Sequence, residues 1–181
     1  MKRAIPLALT SLLLPAVLAD LLVSGEASRL YQGLVKGKEL LLQVNGGVNW
    51  PLGDAWTYRG PSLLVLFGLY KPTTNAKAVV DAIGAEVARV AREGVPAAEL
   101  ERLKTKMKSD YYANLEIFIN RADAIALAQL VGGDASFINE IPGKIDAVTA
   151  ADLKRVALTY LTPANRTWVD RRPAAEAAAQ K

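Results

Sequence analysis

Chemistry near neutral pH usually falls to histidine or cysteine, and this chain contains neither. Without imidazole, the commonest general base and the commonest metal ligand are both missing. Without thiols there is no cysteine nucleophile and no disulfide framework. No Ser-His-Asp or Cys-His triad can be assembled, and a catalytic zinc site, built as a rule from His, Glu and Cys, lacks its material. Carboxylate oxygens alone suit Ca or Mg better. They occur as pairs such as Glu99 with Glu101 or Asp123 with Asp134, and nothing in their spacing separates them from surface charge. No G-x-G-x-x-G, P-loop, G-x-S-x-G elbow or S-x-x-K pair occurs. No catalytic, cofactor-binding or metal-ligating residue is therefore assigned, and no cofactor is expected.

Some side chains remain candidates for contact. Arg29, within GEASRLYQGLVKGKEL (residues 25 to 40), has the chemistry to grip a carboxylate of a substrate or partner. The commoner role of a helix-borne Arg is structural, here an ion pair with Glu26 or with an acid on the long helix further on. Trp50, Trp56 and Tyr58 cluster in a loop and suit either a contact surface or a lid tucked over a sheet. Lys104, Lys106 and Lys108 alternate with Thr105, Met107 and Ser109, so on a helix they spread over more than one face and read as solvated charge. Asn165-Arg166-Thr167 is a glycosylation pattern that matters only in a eukaryotic secretory route.

The elements that must position these residues follow from periodicity. The 181 residues, 51% hydrophobic and 22% charged, suit one folded domain that needs no staple. The net charge of +4 is scattered, with no basic block interleaved with aromatics, so no nucleic-acid partner is expected. Residues 28–36 read as a helix ending near Gly37. Residues 40–50 have strand character, with Gly46 and Gly47 marking a bulge or hairpin turn. Residues 62–72 are nearly all apolar and read as a strand covered on both faces, or on one face and an edge.

Asn75 to Glu93 is an amphipathic helix whose apolar face is Ala76, Val79, Val80, Ile83, Val87 and Val90, with Gly94 as its stop. A second helix opens at Pro96 with Glu99 in its first turn. Residues 117–131 continue helically, Asp134 caps a further segment, and Pro142 interrupts or ends it. Thr149 with Asp152 begins another helix in the manner of a capping box. Residues 166–171 alternate as a last strand, and residues 172–181 form a disordered tail. Helices, two strands, several helices and one strand make an α+β fold: one antiparallel or mixed sheet with helices packed mainly on one face.

The N-terminus has two readings. Lys2 and Arg3 precede an apolar run to Ala19, with small residues placed for a signal peptidase, which would favour export to the periplasm. The run is too short and too proline-broken to span a membrane. Alternatively Pro15 opens a buried helix continued by Leu18, Leu21 and Leu22. The periodicity favours the helix.

Four stretches together resemble one family. DLLVSGEASRLYQGLV is similar to the helix-turn-helix near the start of domains in the pitrilysin or insulinase-type zinc metallopeptidases, which include mitochondrial processing peptidase and its bacterial relatives. EGVPAAELERLKTKMKSDYYANLE, RADAIALAQLVGGDASFINE and IDAVTAADLKRVALTYLTPANRTWVD resemble the long helix, the helix after it and the ending of such domains, in that order. The resemblance covers residues 16–171 and implies a LuxS/processing-peptidase-like fold. Members pair a domain bearing the inverted motif His-x-x-Glu-His with one that lacks it and closes the chamber. With no His, this chain resembles the inactive C-terminal domain.

The resemblance further implies a catalytic zinc peptidase subunit or domain as partner and a peptide substrate in the shared chamber. The alternative is a stand-alone module that self-associates as a homodimer. In some relatives an Arg and a Tyr of the inactive domain reach the substrate. Val35 and Leu42 occupy the corresponding places here, so no substrate-contact role carries over. Such domains also open with a strand for which residues 1–17 leave little room, and a missing strand leaves an open sheet edge that invites another chain.

Overall fold

The computed structural model describes residues 13–51 and 60–172. Helix α1, Leu13–Val23, is its centre. Pro15 sits in the first turn, where its missing N–H forfeits no bond. Leu13, Val17, Leu18, Leu21, Leu22 and Val23 are buried, with Ala16 and Ala19 on a further side. A helix apolar nearly all round belongs inside the fold. It packs on the sheet and on three later helices. Ser28 and Leu30 follow a glycine turn at Gly25, and the chain then winds as a wide π-type helix, Tyr31–Gly37.

Strands β1 (Gln43–Val48) and β2 (Leu64–Leu69) pair antiparallel, with Gly46 opposite Leu66. Gly46 and Gly47 thus lie within the strand and make neither a turn nor a bulge. The reason is close approach: at Gly46 φ is +153°, and a Cβ there would meet the Val65 carbonyl oxygen at 2.1 Å. Val44, Val48, Leu64 and Leu66 face the core, Val48 and Leu64 meeting Ala16 and Ala19 of α1. The opposite face carries Phe67 and Leu69, both exposed. One face of β2 is therefore covered and the other left open.

Helix α2, Ala76–Glu93, is capped by Asn75, whose Oδ1 accepts from the N–H groups of Lys77 and Ala78, and it ends at Gly94 with φ +79°. Helix α3, Ala97–Glu116, starts after Pro96 and buries Leu100, Leu103 and Met107. The helical pattern of residues 117–131 divides. Ile117 is extended, α4 runs Phe118–Leu127, and Ala128–Gly132 is a wide π-type turn closed by left-handed Gly133. Asp134 caps a short 3-10 helix, Ala135–Asn139.

Pro142 lies in the first turn of α5, Ile141–Asp146, so it begins a helix instead of ending one. Helix α6, Ala150–Tyr160, opens with the capping box: the Asp152 N–H donates to the Thr149 hydroxyl, and the Asp152 carboxylate accepts from the Thr149 N–H. Its stripe of Leu153, Val156 and Ala157 is buried against α1 and α2.

The architecture is α+β, mostly helical, with a small antiparallel sheet of two strands among the described residues. Residues 166–172 are not a paired strand among the described residues: their alternation keeps the backbone extended, but no described neighbour bonds to that backbone. Helix α1 runs through Ala19. Residues 1–12, the first part of the signal-like segment, and all of the expected tail except Arg172 lie outside the described residues.

Candidate functional site

Arg29 enters the fold where the chain leaves the Gly25 turn. Its Nε donates to Glu99 Oε1 at 2.9 Å and its Nη2 to Glu99 Oε2 at 2.7 Å, a two-pronged contact with the first turn of α3. Its Nη1 reaches Glu86 on α2 at 3.3 Å, and Arg89 also holds Glu86. The Arg29 side chain is 10% exposed. The Glu99 hydrogen bond raises the guanidinium pKa, and the same bond lowers that of Glu99. Arg29 is therefore a structural clamp joining three segments. Its partners are an acid of the long helix and Glu86, and not Glu26.

The lysines of α3 differ from the solvated reading. Lys104 is buried, its Nζ donating to Glu101 at 3.1 Å and to the Asp146 carbonyl at 3.0 Å, so it ties α3 to the end of α5. Lys108 reaches the Asp146 carboxylate at 2.6 Å. Lys106 pairs with Asp110 and touches Ser24. Alternation along the helix hid this, because the partners outside α3 lie far along the chain: Asp146 of α5 accepts from Lys104 and Lys108, and Ser24 after α1 from Lys106. Near Lys106 lies Asp20, the one acid of apolar α1. Burial pushes its pKa from 3.8 to about 6, against the pull of Lys106 and with a smaller push from Asp110.

Of the remaining candidates, Trp50 tilts over Phe67 on the open sheet face with ring centroids 6.0 Å apart. Trp56 and Tyr58 lie outside the described residues. Val35 packs partly against the core, and Leu42 is exposed. Glu99 and Glu101 serve Arg29 and Lys104 respectively, and Asp134 is a helix cap. The carboxylate pairs are thus not brought together as acid and base.

One concavity was not expected: a cleft of about 700 Å³ between β2, α2 and residues 161–170. Its walls include Leu64 and Leu66 of β2, Val80, Ile83 and Val87 of α2, and Trp168. The apolar face read for α2 held the signal. Only Ala76, Val79 and Val90 of that face are fully buried, and Val80, Ile83 and Val87 are part-covered and line the cleft. Arg166 lies against Gly84 at one end of the C-terminal segment, and the Tyr70 hydroxyl donates to Asp170 at the other.

A family model described as the Peptidase M16 inactive domain matches residues 12–107, more than half of the chain. The chain belongs to the family of M16 inactive domains. A protease from Helicobacter pylori is similar in structure at 27% identity and a TM-score of 0.69, over 83% of this chain. The chain spans only 34% of that protein. The inactive peptidase domain of a proposed zinc protease from Bordetella parapertussis shares the fold at a TM-score of 0.71 and 21% identity, with 87% of this chain and 81% of that one covered. A proposed zinc protease from Bordetella pertussis does so at 0.70 and 21%, covering 92% and 90%. No curated protein matches.

The M16 inactive domain therefore carries the family fold without peptidase chemistry of its own. Zinc does not fit its residues: the sequence supplies no His or Cys, and no group of three metal-capable acids converges among the described residues. No helix of the described residues is long and apolar enough to cross a membrane.

Proposed function

We propose that this M16 inactive domain forms one half of a substrate chamber whose other half is a zinc-bearing M16 subunit or domain. The family membership of a chain without a single His carries the reading. The body of the half-chamber is residues 16–171. Its role is confinement: an inert wall holds a peptide near the companion's zinc and limits its escape to bulk water. Exposed Leu63, Phe67 and Leu69 on the sheet, and Ile117, Phe118 and Ile119 at the α3–α4 junction, support a protein partner, because contiguous apolar surface marks interaction sites.

Co-expression with a protein bearing His-x-x-Glu-His from the same genome tests the pairing. The expected result is a one-to-one complex on sedimentation. A chain that stays monomeric beside every such protein, or forms a stable homodimer that excludes them, contradicts it.

A further inference from the structure

We propose that the cleft beside β2 binds an extended strand of the companion polypeptide, apolar at alternate positions, by backbone addition to the free edge of β2. Strand β2 has one paired edge among the described residues. The Asn49 N–H donates to the Leu63 carbonyl at 2.9 Å and the Leu42 N–H to the Leu69 carbonyl at 2.7 Å, so the odd-numbered residues face β1. Antiparallel geometry then aims the N–H and C=O groups of Leu64, Leu66 and Gly68 the other way, into the cleft. Among the described residues, no backbone bond reaches them there.

Across the cleft, residues 166–170 are extended and equally without backbone bonds to any described residue. They do not close onto β2, because Arg166 against Gly84 and Asp170 against Tyr70 hold the segment at its ends. Two strand-like edges with unused donors and acceptors face a common space. A chain of alternating donors and acceptors is what satisfies such edges, and an extended polypeptide supplies it.

The third wall sets the side chains. Val80, Ile83 and Val87 of α2 present apolar surface to the cleft, so every second residue of the guest must be apolar. The rim points to a guest that is part of a larger body. Leu63 is 74% exposed and Val169 87%, and this surface continues onto Phe67 and Leu69 of the open sheet face. A lone strand filling the cleft leaves that area uncovered, whereas a companion subunit covers both. The companion as source rests on the chamber reading; the strand chemistry of the cleft does not.

Amide exchange of the full chain, followed by NMR with and without a probe, tests the site. The probe is an acetylated seven-residue peptide alternating valine and threonine with lysine at its ends. Its control is the same peptide N-methylated at alternate amides. In the free monomer, the Leu64, Leu66 and Gly68 amides exchange fast. The probe slows their exchange at least tenfold and shifts Trp168 fluorescence, and the N-methylated control binds at least tenfold more weakly. In the complex with the companion the same three amides are protected.

The strand site is overturned by absence of protection at saturating probe, or by equal binding of the control. Amides already protected in the free monomer assign the cleft to the chain's own residues, and protection that rises with protein concentration alone assigns it to a second copy; either overturns the companion strand. A companion complex that leaves the three amides exposed overturns it as well. Probe protection with no companion complex refutes the chamber reading while the cleft's strand chemistry stands.

Discussion

Helix α2 contributes to two regions that obey opposite rules. At the Arg29 junction every charged group has a partner: the guanidinium meets Glu99 and Glu86, and Arg89 completes the set. At the cleft, one helical turn away, the neighbouring apolar stripe of α2 faces a strand edge whose backbone groups have none among the described residues. The first region is finished within the chain. The second is not finished by the described residues, and the backbone polar groups without a described partner there are what the proposed guest strand would satisfy. Strong side-chain chemistry, the usual marker of function, here marks the frame. The functional surface is marked by what its backbone lacks.

Removing the clamp attacks the finished side first. Arg29→Ala leaves Glu99 without its two-pronged partner and Glu86 with Arg89 alone in a largely buried place, and should cost about 3 kcal/mol in chemical denaturation. A cost under about 0.5 kcal/mol would make the junction ordinary surface charge.

Asp20 is a flaw on the same side, and its effect has the opposite sign. Below about pH 4 its carboxyl is protonated in folded and unfolded chains alike and costs nothing. Between about 4 and 6 the unfolded chain gives up the proton while the folded chain keeps it, so stability falls as pH rises; above about 6 the loss is constant. A shift of roughly two units amounts to about 3 kcal/mol. Asp20→Asn should recover roughly 2 kcal/mol at pH 7 and flatten that part of the stability profile. Glu99, with its pKa lowered, works the other way: its contribution is present above its unfolded pKa and is lost as pH falls through its folded value.

Thr149→Ala removes the capping box and should cost about 1 kcal/mol in thermal or urea unfolding. At the small end, Val169→Asp on the cleft rim should change stability by less than about 0.5 kcal/mol, because the side chain is almost wholly exposed. The same change should weaken capture of the companion. A large loss of stability from this variant would mean that the rim belongs to the finished region.

Much of the frame was legible in the sequence, because its determinants are local. Asp134 and Thr149 are helix caps as read, Gly94 ends its helix, and the stripe of Leu153 and Val156 is buried. Glu99 in a first turn was legible, but its bond to Arg29 spans 70 positions and no periodicity reports it. Lys104 looked solvated because burial beside Asp146 depends on how α5 folds back onto α3. Residues 166–171 read as a strand from their alternation, which fixes extended backbone and says nothing about a neighbour. The cleft was invisible for the same reason. The apolar face of α2 announces that it will be covered, and not by which chain.

The most direct measurement is hydrolysis of a fluorogenic peptide by three samples with saturating zinc: this chain, its His-x-x-Glu-His companion, and the two together. An inert half-chamber predicts no turnover by this chain and a rate for the pair at least about tenfold above the companion alone. Zinc-dependent cleavage by this chain, or an unchanged rate when it joins the companion, contradicts the account.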